Sequence, residues 1–151
     1  MLKNVGLASV RTALRAAVFA GVAFAAGSAF AVEPTGLWYD HTGRGAVEIT
    51  KCGNQLCGRL VWLKDAEHAK QVCGIQILGD VKPMANGAWD NGWIYDPERD
   101  SKFSVELTPM GAQDLKVVGY MGSKWLSETM MWKRAPASAS RKATPCGPAR
   151  R

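Results

Sequence analysis

Four cysteines, two histidines and thirteen carboxylates are the side chains of this chain that could carry metal, redox or acid–base chemistry. Cys52 and Cys57 lie close together in "CGNQLCG" around a Gly-Asn pair. A tetrahedral metal site needs a close Cys pair plus a second Cys or His pair. Here Cys73, Cys146, His41 and His68 show no such spacing. Redox catalysis favours Cys-x-x-Cys at a helix start, which is absent. A structural disulfide between Cys52 and Cys57 is therefore expected, and with it an oxidising compartment. For Cys73 and Cys146 two readings stand: a second bridge that ties the end of the chain to the body, or a free thiol at Cys146.

The remaining polar chemistry is thin. The acidic residues are scattered along the chain, and "DPERD" at 96–100 lacks the ligand alternation and glycine of a calcium loop, so it reads as a hairpin turn. His41 and His68 stand singly in polar, loop-like sequence. Ser104, Ser123 and Ser127 have no nucleophile-elbow pattern around them, and no glycine loop leads into a helix to cradle phosphate. No catalytic residue, metal or cofactor is assigned, and an enzyme is not expected.

The elements that must hold these residues are short strands. "AVEIT" and "GRLVWL" flank Gly53-Asn54 as the arms of a hairpin. Setting Cys52 opposite Cys57 puts Val47, Ile49, Leu60 and Trp62 on one face and Glu48, Thr50 and Arg59 on the other, as a half-buried sheet requires. Further strand patterns cover Gly36–His41, Cys73–Val81, Trp93–Tyr95, Lys102–Thr108, Leu115–Tyr120 and Lys124–Lys133, while Lys64–Lys70 is polar, a loop or one helical turn. About eight short strands with frequent glycine and no clear amphipathic helix predict an all-β, single antiparallel up-and-down barrel. Its lumen would hold side chains or one small ligand.

At the amino end, Lys3, Arg11 and Arg15 precede an apolar run, 16–26, and a small-x-small exit at Ala29-Phe30-Ala31. This predicts a cleaved signal peptide over 1–31, too short an apolar run to span a bilayer, and hence a periplasmic or secreted protein with no transmembrane segment in the mature chain. The barrel domain is expected over 32–134. From Val32 onward sixteen basic residues face thirteen acidic ones, but six of the basic residues lie between Lys133 and Arg151, so the body is faintly acidic. Residues 135–151, rich in Ala, Pro, Ser and cations, are expected to be a disordered basic tail. The tail could touch an anionic envelope surface weakly. A nucleic-acid partner is not expected.

Gly36-x-Trp38 and the closing Trp132-Lys133-Arg134 resemble the lipocalin–calycin arrangement. That resemblance implies that Trp38 plugs the barrel floor and that Arg134 stacks on its indole. The pieces "CGNQLCGRLVWL", "CGIQIL", "WDNGWIYDP", "LKVVGY" and "WKR" are similar to an exported bacterial family, domain-of-unknown-function family 2147, whose members look like small lipocalin-like barrels with no assigned activity. The segment 64–71 departs from the Asn-Pro-Asp type of loop often found there.

Six tryptophans and three tyrosines are a heavy aromatic load for this length. Most should fill the core. Trp62 by hairpin register, and Phe103 and Trp125 by alternation, should point inward and line any cavity. The reading that follows is non-enzymatic binding of a small apolar or amphipathic ligand in the lumen. The alternative is a cell-envelope structural or interaction module acting through its outer surface or tail.

Overall fold

The computed structural model describes residues 32–136 and Cys146. The expected signal segment, and the tail apart from Ala135, Pro136 and Cys146, lie outside the described residues. Eight antiparallel strands close on one another in chain order, with each strand paired to the next and β8 to β1. They are β1 (Gly36–Tyr39), β2 (Gly45–Cys52), β3 (Gln55–Leu63), β4 (Gln76–Pro83), β5 (Trp89–Asp96), β6 (Ser101–Pro109), β7 (Asp114–Met121) and β8 (Ser123–Arg134). One short helix, α1 (Ala66–Val72), joins β3 to β4 through the polar stretch read as loop or single turn. The Asp65 carboxylate caps it, accepting from the backbone N–H groups of Glu67 and His68. Among the described residues no helix is long and apolar enough to cross a membrane.

Alternation sets the core. Val105, Leu107, Leu115 and Val117 are fully buried, and with Ile49, Leu56, Leu78 and Val81 they fill the end of the barrel that carries the β2–β3 turn. At this end Trp38 is fully buried, and its indole N–H donates to the Pro34 carbonyl at 2.7 Å. The Arg134 guanidinium lies 4.0 Å from the Trp38 ring centre. It also donates from Nη1 to the Thr35 carbonyl and from Nε to the Ala112 carbonyl. Gly36 takes φ +115°, and a Cβ there would lie 2.6 Å from Arg134 Nη1, so only glycine lets the arginine cross to the indole.

Three local features differ from the sequence expectation. Gly53-Asn54 forms a two-residue turn with Gly53 at φ +68°, so Cys52 faces Gln55 and Cys57 faces Thr50. The disulfide Cys52–Cys57 thus runs diagonally, with Cα atoms 5.9 Å apart. The shift is even, so Val47, Ile49 and Leu60 keep their inward face. A bulge then follows: Val47 pairs Leu60 but Ala46 pairs Trp62, leaving Val61 as the extra residue. That turns Trp62 to the other face, where it packs edge-on against Tyr39 with ring centres 5.9 Å apart. The inward placement of Trp62 is therefore corrected.

β5 also starts earlier than its sequence suggests. Asp90-Asn91-Gly92 reads as a turn, yet it is a bulge within the strand, with Asn91 at φ 61°. The turn lies upstream, where Gly87 N–H donates to the Met84 carbonyl. Gly92 is needed because a Cβ there would meet the Gly79 carbonyl oxygen at 2.5 Å. Finally, Cys73 is bonded to Cys146, Cα atoms 5.1 Å apart, which decides between the two readings left open for that pair.

Candidate ligand-binding site

Only part of the barrel is filled. Towards the end bearing the β1–β2 loop, α1, the β5–β6 turn and the β7–β8 hairpin, the interior opens into a cavity of about 1060 Å³. Its wall is apolar: Val47, Leu60, Ile77, Ile94, Phe103 and Met130 come from strands around the barrel. Val72 of α1 leans in from the side. Gly119 also lines the space, and a Cβ built there would meet nothing nearer than 3.9 Å. Trp132 adds an indole to the wall while being almost wholly buried. Its Nε1 has no acceptor, the one such buried side-chain atom among the described residues. An unpartnered buried N–H costs about 1–3 kcal/mol.

The rim is charged and cross-linked. Arg44 of the β1–β2 loop reaches Glu98 of the β5–β6 turn at 3.4 Å, and Arg99 of the same turn reaches Glu128 of β8 at 3.2 Å. The β1–β2 and β5–β6 connections stand four strands apart, so the first pair spans the mouth. All four side chains are well exposed, and such pairs contribute about 0–1 kcal/mol each. The β5–β6 turn is shaped by Asp96, whose carboxylate accepts from the N–H groups of Glu98 and Arg99.

The residues named from sequence end in different places. Phe103 lines the cavity. Trp62 does not belong to its wall, for the reason given by the bulge. Trp125 is 96% exposed at the rim, which corrects its inward placement. Met130 and Trp132 set the inward phase of β8, so Trp125, seven residues before Trp132, falls on the outer face; a register jump, in which Tyr120 pairs Ser127 but Met121 pairs Ser123, lifts it farther out. Lys124, Trp125 and Leu126 are looped out between those rungs. Trp38 and Arg134 stack at the closed end, away from the cavity. His41 and His68 lie at the rim, and among the described residues no three His, Cys, Asp or Glu side chains are grouped to hold a metal.

Sequence reasoning missed a second polar assembly outside the lumen. Asp90 of β5 is buried, and its carboxylate accepts from the Tyr120 hydroxyl at 2.8 Å and the Lys124 ammonium at 2.7 Å. Lys124 also contacts Glu106. Burial pushes the Asp90 carboxyl up, but the Lys124, Asn91 and Tyr120 hydrogen bonds outweigh it and hold the group below its usual value. The same bonds to Asp90 and Glu106 hold the Lys124 ammonium above its usual range. These partners are about thirty residues apart in sequence, and no local pattern marks them. Together they pin the base of the looped-out segment.

A family model described as an uncharacterized protein conserved in bacteria, DUF2147, matches residues 36–134, the whole run of strands. The chain belongs to the DUF2147 family. Among solved structures, this DUF2147 chain is similar to protein HP1028 from Helicobacter pylori, which is described as belonging to the lipocalin family. The TM-score is 0.57 at 14% identity, over 73% of this chain and 88% of that one. At that identity the likeness is one of fold: a lipocalin-like barrel. No curated protein matches the chain.

Proposed function

We propose that this DUF2147 protein is an exported, non-enzymatic carrier of a small apolar or amphipathic molecule, held in the open part of its barrel. The observation that carries the reading is the half-filled interior: a cavity of about 1060 Å³ walled by Ile77, Ile94, Phe103 and Met130 above a solid floor. Binding pockets for small molecules are commonly about 300–1000 Å³, mostly apolar, with few polar anchors. An apolar body would bury against the wall, and a polar group would sit at the charged rim. Two disulfides support an oxidising compartment, periplasmic or extracellular.

The test is a titration of the protein with a panel of fatty acids and environment-sensitive dyes, read by tryptophan emission. Saturable binding is expected in the wild type. Gly119→Leu grows a side chain into the lumen without a backbone clash and should weaken binding about tenfold or more while leaving the melting temperature nearly unchanged. Equal affinity in wild type and Gly119→Leu would refute the lumen as the site.

A further inference from the structure

The looped-out tip of the β7–β8 hairpin carries three exposed apolar side chains: Trp125 at 96%, Leu126 at 72% and Met121 at 61%. A single exposed apolar side chain is ordinary, but a group of them around a tryptophan marks an interaction site. Nothing local explains this group, because the neighbouring Lys124 is turned away and engaged by Asp90 and Glu106. That engagement fixes the base of the loop and leaves its apolar tip projecting. The tip adjoins the lumen, since the same three side chains stand at its rim.

We infer that this tip is a membrane anchor that seats the open end of the barrel against a lipid bilayer. The size of the patch selects the occupant. Three side chains, the largest of them worth ~250 Å², fall well short of the roughly 800 Å² that each partner buries in a stable protein interface. A protruding tryptophan flanked by leucine and methionine suits the headgroup–acyl boundary, where aromatic rings concentrate. Charge sets the kind of surface. The ionised residues at the rim include three basic and five acidic side chains, with Arg44, Lys64 and Arg99 outnumbered, so attraction to anionic lipid is not what holds the tip. Docking is apolar, it works on zwitterionic lipid, and salt does not release it. Seated in this way, the mouth opens directly onto the bilayer surface.

The experiment mixes the protein, isolated with both disulfides formed, with phosphatidylcholine vesicles whose acyl chains are brominated near the headgroup. Tryptophan emission should be quenched on binding, and the quenched component should vanish in Trp125→Ser. Leu126→Ser keeps the fluorophore and should weaken vesicle binding about tenfold. Both positions are exposed, so the melting temperature should not move in either variant. Binding should be the same in low and high salt. Absence of quenching on phosphatidylcholine would overturn the inference. So would binding that needs anionic lipid and is lost in high salt, which is the signature of the basic tail. A concentration-dependent dimer abolished by Trp125→Ser would overturn it in favour of a second copy. The lumen titration is done without vesicles, so the two proposals fail independently.

Discussion

At the level of single residues, the six tryptophans divide by what their rings and N–H groups meet. Trp38 is fully satisfied, donating to Pro34 and stacked under Arg134. Trp93 lies over Gly79 with its N–H on Asp80 and Lys102 4.0 Å above its ring. Trp132 is buried with an idle donor. The two buried indoles should therefore respond differently to the same change. Trp38→Phe removes a buried hydrogen bond and a cation–π contact and should destabilise by about 2–4 kcal/mol. In Trp132→Phe the loss of packing is offset by removal of an unpaired N–H, and the change should stay within about 1.5 kcal/mol. Urea unfolding of the two variants checks the contrast. Alternation in "FSVEL" is enough to place Phe103, Val105 and Leu107 together. It fails for Trp62, because a bulge at Val61 that no glycine or proline marks resets the face, and for Trp125, which is out of phase with the inward Met130 and Trp132 and sits in a three-residue loop-out at Lys124–Leu126.

Among the elements, the β7–β8 hairpin depends most on long-range chemistry. Its tip is held by Lys124 on Asp90 and Glu106. The Asp90 carboxyl is held below its ordinary value, so its contribution is complete above the unfolded pKa near about 3.9 and is lost as pH falls through the lower folded value. Lys124 is raised, so its contribution is complete below about 10.4 and is lost only in stronger alkali. Amide exchange in the rungs that flank the loop, Tyr120 with Ser127 and Met121 with Ser123, corrected for intrinsic pH dependence, should thus be slowest from roughly pH 5 to 10 and accelerate in acid. Asp90→Asn should accelerate it throughout that window. The stapled β2–β3 hairpin is the opposite case, being local and legible. Gly53-Asn54 and the two cysteines specify its turn end, where only the rung of the bridge differs because a two-residue turn closes on Cys52 and Gln55; the bulge at Val61 lies farther along the pair.

For the molecule as a whole, the two disulfides close loops of very different length, with sequence separations of 5 and 73. On the chain-entropy account the longer loop constrains the unfolded chain about twice as much, roughly 4 against 2 kcal/mol. Cys73→Ser/Cys146→Ser should accordingly lower the urea midpoint more than Cys52→Ser/Cys57→Ser. The barrel class was readable from strand count and spacing. The half-empty interior was not, because it depends on where eight strands place their last few side chains.

The ring of strands is not uniform around its circumference. β7 and β8 share eight rungs, but β1 and β8 share only two, Trp38 with Arg134 and Tyr39 with Lys133. Arg134 rivets this seam through Thr35, Ala112 and the Trp38 ring. Were it to part, an eight-stranded sheet would present two raw edges, each a template for another chain. Arg134→Ala should therefore show itself first as aggregation, seen as thioflavin-positive or high-mass species at temperatures where the wild type stays monodisperse. A single cation at the closed end thus guards the protein's solubility as well as its floor.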